Sequence, residues 1–146
     1  MSTTPLSDLE ELLFRQVHPS FVRDGRPSSQ ACRPTLKDAG KLSVAQNAIT
    51  TAQAAYDLYT SGRGYASAGT WAVTVGECRG QALDVFADPL TSPPEDVADP
   101  AHAVVDFTPF SKSQADAKGA RLARAADKRE RLYPTAGSRA PEPTKA

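Results

Sequence analysis

Cysteine is scarce in this chain: Cys32 and Cys78 are the only two in 146 residues. Two thiols build no disulfide framework, and no Cys-x-x-Cys spacing points to zinc or dithiol chemistry, so reduced, inert thiols are expected. Histidine is equally sparse, with His18 and His102 alone, and the two share no element with acids at metal-ligand spacing. No metal site is expected. No apolar run approaches the roughly 18 residues of a membrane span, and Met1 to Glu11 has neither the basic nor the apolar stretch of a secretory signal. A cytoplasmic location without membrane contact is the expectation. The Gly-x-Ser-x-Gly elbow, the Walker loop and the dinucleotide glycine pattern are also missing, which removes the usual hydrolase and nucleotide triphosphatase signatures.

Net charge is lacking too, since 17 Lys and Arg balance 17 Asp and Glu, yet the charges are laid out in blocks. Residues 1 to 14 carry Asp8, Glu10 and Glu11 and no Lys or Arg, whereas residues 15 to 41 carry six Lys and Arg against Asp24 and Asp38. From Asp57 to Asp106 eight acids face Arg63 and Arg79, and from Phe107 onward nine Lys and Arg oppose four acids. Such segregation fits basic segments folding against the acidic middle, or facing an external polyanion.

Hydrophobic periodicity suggests a single α+β domain over residues 1 to 134, including an acidic, proline-rich loop at 87 to 101, and a disordered tail at 135 to 146. Ser7 and Glu10 have capping-box spacing, which suggests a short helix from Asp8 to about Leu12, followed by a strand through Arg15 and Val17. Lys41 to Ala45 suits a short strand. Thr50 or Thr51 caps a helix over about 51 to 61, with Ala52, Ala55, Tyr56 and Tyr59 on one face. Thr70 to Cys78 alternates and is rich in β-branched residues, suiting a central strand, with two more candidates at Ala82 to Phe86 and His102 to Phe107. Ser111 or Ser113 starts a helix to about Leu132, basic, with only Ala115, Leu122, Ala126 and Leu132 as an apolar stripe. The expected fold is a small, mostly antiparallel sheet of three to five strands with one central helix and a basic C-terminal helix.

The first basic block is the main candidate site. Arg15, His18, Arg23, Arg26, Ser28, Ser29, Arg33 and Lys41 mix guanidinium forks, hydroxyls and turn backbone, the groups that complement phosphate or carboxylate oxygens. A solvated surface loop is the plainer reading of the same residues. The C-terminal helix is a second candidate, suited to nucleic acid phosphates, to an acidic partner or to solvent alone; it has no aromatic residue before Tyr133 for base stacking. Cys78 and His102 are compatible with a nucleophilic pair, against the commoner buried thiol.

Arg15 on a first strand, Ser43 in Leu42-Ser43-Val44 on a second, a Thr-capped helix, and Glu77 at the end of a later strand follow an order that resembles the Arg, Ser, Glu order of some ADP-ribosyltransferases. The outline is similar to small RES-type toxins that consume NAD. The resemblance covers residues 13 to 77 and departs at Val75, where many transferases carry Glu or Gln, and at Gln53, where a carboxylate would stand. It implies NAD as a substrate, with Arg15 gripping the pyrophosphate, Ser43 orienting the nicotinamide ribose and Glu77 stabilising charge at the glycosidic carbon.

The leading expectation is a small intracellular binding or accessory module with an anion-binding basic surface and no cofactor. Its partner would be an anionic small molecule or an acidic protein surface, with nucleic acid as a further candidate. The NAD-consuming enzyme, with Glu77 and Ser43 catalytic, is the alternative.

Overall fold

A computed structural model describes residues 4 to 34, 39 to 92 and 97 to 134, and the expected tail at 135 to 146 lies outside these. Among the described residues eight strands form: β1 (Thr4–Pro5), β2 (Leu12–Gln16), β3 (Val22–Arg23), β4 (Arg26–Pro27), β5 (Lys41–Gln46), β6 (Thr70–Thr74), β7 (Asp84–Ala87) and β8 (His102–Asp106). Among the same residues three α-helices accompany them: α1 (Ala52–Asp57), α2 (Val75–Gly80) and α3 (Lys112–Arg129). Six strands join in one antiparallel sheet of order β1-β7-β8-β5-β2-β6, and β3 pairs with β4 in a separate hairpin. The sheet is thus larger than the three to five strands expected, within the α+β, mostly antiparallel class.

Side chains alternate across each strand, which gives the sheet two unlike faces. Leu13, Val17, Leu42, Val44, Trp71, Val73, Val85, Ala103 and Val105 point to one face, where α3 lays Leu122, Ala123 and Ala126 against them. Each fully buried Leu here contributes roughly 1.5 to 3 kcal/mol. On the other face a smaller cluster of Phe14, Ala55 and Ala72 receives α1, capped by Thr51, whose hydroxyl accepts from the Ala54 N–H. After Asp57 this helix continues as a π-type turn over Leu58–Gly62. Among the described residues no helix is long and apolar enough to cross a membrane.

Three sequence expectations are corrected. No helix forms at Asp8: its side chain accepts from the Glu10 N–H and its carbonyl from Glu11, closing a turn that delivers Leu12 into β2. Glu11 instead accepts from the Ala48 N–H, so tertiary pairing takes the groups a helix would have used. The strand from Thr70 stops at Thr74, because Thr74 and Glu77 make a reciprocal capping box that starts α2. Lastly, β6 is the edge of the sheet and not its centre, its outer side covered by Leu132 and Tyr133, which exchange backbone hydrogen bonds with Thr70.

Candidate functional site

Four of the eight residues in the candidate anion set converge. The β3–β4 hairpin turns through Asp24 and Gly25, both at positive φ (55° and 77°), a conformation that suits Asp-Gly. The tight turn sets Arg23 directly opposite Arg26, and the chain returns through Ser28 and Ser29 onto α3. These residues line an open groove of about 390 Å³ with Arg124 and Asp127 of α3, and with Asp24. Like charges facing each other across a hairpin repel. Asp127 relieves one of them, accepting from Arg26 Nε at 3.0 Å and Nη2 at 2.6 Å, whereas Arg23 has no partner among the described residues. Arg26 is 72% exposed, so this pair is worth little.

A second groove, of about 550 Å³, runs along the other side of α3 between that helix and α2, lined by Glu77, Gln81, Arg121, Arg124, Ala125, Lys128 and Arg129. Four cations stand there against one carboxylate. The carboxylate is already taken: Arg129 Nη1 and Nη2 donate to Glu77 Oε1 and Oε2 at 2.8 and 2.9 Å. Burial alone would raise the Glu77 pKa, but Arg129 and the Thr74 N–H outweigh it and hold the carboxyl below its usual range. Arg121 donates to Gln81 Oε1 at 2.9 Å. Arg124 and Lys128 are exposed and have no partner among the described residues. Spaced at i, i+3 and i+7, Arg121, Arg124 and Lys128 form one stripe, away from the buried Gly119, Leu122, Ala123 and Ala126. That spacing is visible in the sequence and marks these three as a unit of the basic C-terminal helix.

The other candidate residues go elsewhere. Arg15 projects from the core face of β2, its Nε donating to the Ala31 carbonyl at 3.0 Å and its Nη1 to the Ser43 carbonyl at 3.1 Å. The β2–β5 ladder ends at Phe14 and Ala45, so the guanidinium spans the gap where the strands separate and holds the loop at Ala31. His18 caps the 3₁₀ turn Pro19–Phe21, its Nδ1 accepting from the Ser20 N–H at 3.0 Å. Arg33 pairs with Asp116 at 2.8 Å. Lys41 is exposed on β5, facing Asp106 across the sheet.

The structure therefore does not bring the Arg15, Ser43 and Glu77 side chains together. Arg15 meets the main chain of Ser43, but the Ser43 side chain lies on the opposite face of the sheet from Leu42 and Val44, within 3.1 Å of His102 Nε2. Glu77 sits in the first turn of α2 beyond Thr74, and Thr74 registers with Leu12, three residues or about 10 Å along β2 from Arg15. Cys78 and His102 are likewise separated: Cys78 is wholly buried on the core side of α2, its thiol pushed up to about 12 chiefly by burial, and His102 belongs to the outer face. Among the described residues no group of three His, Cys, Asp or Glu is placed to hold a metal ion. Compared with known proteins, the chain matches no family model, no curated protein and no solved structure.

Proposed function

We propose that this chain is an anion-binding module in which the basic stripe of α3 and its two flanking grooves receive a phosphate- or carboxylate-bearing ligand, either a small molecule or the surface of an acidic partner protein. The observation that carries this reading is the state of Arg124. It lines both grooves, is exposed, and forms no ion pair or side-chain hydrogen bond among the described residues although Asp24 and Asp127 line one of those grooves, and Arg23 and Lys128 are likewise unpaired. Most other arginines around it have found partners: Arg26 with Asp127, Arg33 with Asp116, Arg129 with Glu77. Guanidinium groups bind oxyanions through paired N–H donors, and the Ser28 and Ser29 hydroxyls at the rim add neutral donors. The stripe has no aromatic ring for base stacking, so any nucleic acid would be held by its phosphates.

Retention on immobilised heparin tests the reading. The native protein is expected to bind at low salt and to elute earlier when Arg124 and Lys128 are both replaced by Glu, because each lost phosphate-type contact removes a released counterion. Flow-through of the native protein at low salt, or an unchanged elution position for the double variant, would contradict it.

A further inference from the structure

On the outer face of the sheet, far in the topology from α3, three side chains meet in a different arrangement. Ser43 of β5 stands exposed, with its Oγ 3.1 Å from His102 Nε2. The other ring nitrogen, His102 Nδ1, lies 2.9 Å from the Asp88 carbonyl and 3.2 Å from Asp88 Oδ2. Both neighbours of Nδ1 are acceptors, so the proton of the neutral ring resides there, and Nε2 keeps its lone pair for the Ser43 hydroxyl. The frame behind these groups is hydrogen-bonded sheet. Asp88 follows β7 directly and donates its N–H to the His102 carbonyl at 2.9 Å, and β8 carries His102 beside Ala45 of β5 in register. The imidazole side chain is 14% exposed and that of Asp88 28%, so the relay is largely shielded and the hydroxyl at its end faces solvent.

We infer that Ser43 is a nucleophile for acyl transfer from small apolar esters, with His102 as its general base and Asp88 as the positioning residue. The groups fulfil the geometric roles of a nucleophile, a base and an orienting carboxylate without the strand-turn-helix elbow that often presents such a serine. Buried Val104 lies directly across from Ser43, and half-buried Phe86 directly across from Val104, so the neighbours of the hydroxyl on this face are apolar. In the reaction the Ser43 Oγ forms a bond to the ester carbonyl carbon while its proton passes to His102 Nε2. The ester C–O bond then breaks and His102 returns the proton to the departing alkoxide. Water then gives a proton to the same nitrogen and bonds to the acyl carbon, the bond from that carbon to Ser43 Oγ breaks, and His102 returns the proton to Oγ, so the carboxylic acid is released and the net reaction consumes only ester and water. This site is independent of the basic stripe, and neither reading needs the other.

Incubation of the full chain with p-nitrophenyl butyrate, followed by intact mass measurement and peptide mapping, tests the inference. The expected result is a butyryl adduct on the peptide containing Ser43, absent in Ser43→Ala and formed at least about a hundredfold more slowly in His102→Ala. Ser43 is exposed, so Ser43→Ala should fold normally, which an unchanged thermal melt verifies. For Asp88, nitrogen-15 shifts of the His102 ring give a separate reading: they should report an Nδ1–H tautomer in the native protein, which the backbone carbonyl of residue 88 retains in Asp88→Asn while the acylation rate falls. Absence of both an adduct and p-nitrophenol release with the native protein, an adduct or release that persists in Ser43→Ala, or an Nε2–H tautomer would each overturn the assignment.

Discussion

Glu77 and Arg129 meet face to face, both carboxylate oxygens receiving a guanidinium N–H at 2.8 and 2.9 Å, and so tie the first turn of α2 to the last turn of α3. The same carboxylate accepts the Thr74 N–H at 2.9 Å, closing the capping box that ends β6. Glu77 is thereby a structural joint, and the wall of the larger basic groove is built on it.

Replacing Glu77 with Gln should cost about 1 to 2 kcal/mol at neutral pH, from a weakened cap and a partly solvated ion pair. The pH dependence has a definite sign. A carboxyl held below its usual range in the folded protein contributes stability above the unfolded pKa, and that contribution fades as pH falls through the folded value. Urea unfolding of both forms should therefore show a gap that is widest near neutrality and narrows below about pH 4. A gap that widens in acid would refute the role given to Arg129.

Arg15 is a clip in this structure, donating to the carbonyls of Ala31 and Ser43. Arg15→Leu leaves two carbonyls without their donors and should lower stability by about 1.5 to 3 kcal/mol, the range for hydrogen bonds from a charged group. Retention on heparin should barely change, because Arg15 lines neither basic groove. Unaltered stability combined with lost retention would place Arg15 in the binding surface instead.

Gly119 supplies a test of how α3 is seated. In an open helix Gly→Ala stabilises by about 1 kcal/mol. Here an added Cβ would lie 2.9 Å from the Arg33 Cβ and 3.0 Å from the Cys32 carbonyl oxygen. Gly119→Ala should destabilise by about 1 to 3 kcal/mol despite its better propensity, and a rise in the midpoint of thermal unfolding would contradict this close approach.

The thiols give the fourth test. Burial is the main reason that Cys32 is pushed up to about 11 and Cys78 to about 12. Neither forms thiolate near neutrality, and both sit in the core. Titration with a thiol-reactive disulfide dye at pH 8 should detect no reaction within minutes in the native protein and two thiols in denaturant. Rapid reaction of either in the native state would show that the core opens at that point.

Local signals account for the parts of the fold that were legible in the sequence. Thr51 before an alanine-rich segment, Ser111 before a basic helix, and the alternation of β5 and β8 each specify their own element, and these formed close to the expected bounds. The helix expected at Asp8 failed because Ser7 and Glu10 offered a cap whose benefit was smaller than the pairing of Leu12 with Thr74. The strand expected through Cys78 failed because alternation from Trp71 to Val75 masked a Thr-x-x-Glu capping box at Thr74. Strand order was out of reach, since β6 pairs only with β2 and its edge is covered by Leu132 and Tyr133, some 60 residues away in sequence. For the candidate site the sequence placed Arg23, Arg26, Ser28 and Ser29 near one another, and the Asp24-Gly25 turn explains why they converge. It did not show that α3 would meet them, because that contact depends on Gly119 accepting the loop at Cys32. The meeting of Ser43, Asp88 and His102 likewise depends on β8 lying between β5 and β7.

The central claim is that the stripe on α3 holds an anion, and titration of nitrogen-15-labelled protein with inorganic pyrophosphate measures this most directly. The expected result is saturable shifts confined to Gln81, Arg121, Arg124, Ala125 and Lys128 with the hairpin at Arg23, abolished in the Arg124→Glu, Lys128→Glu double variant. Shifts centred on Arg33 or Arg63, or none at millimolar pyrophosphate, would contradict it.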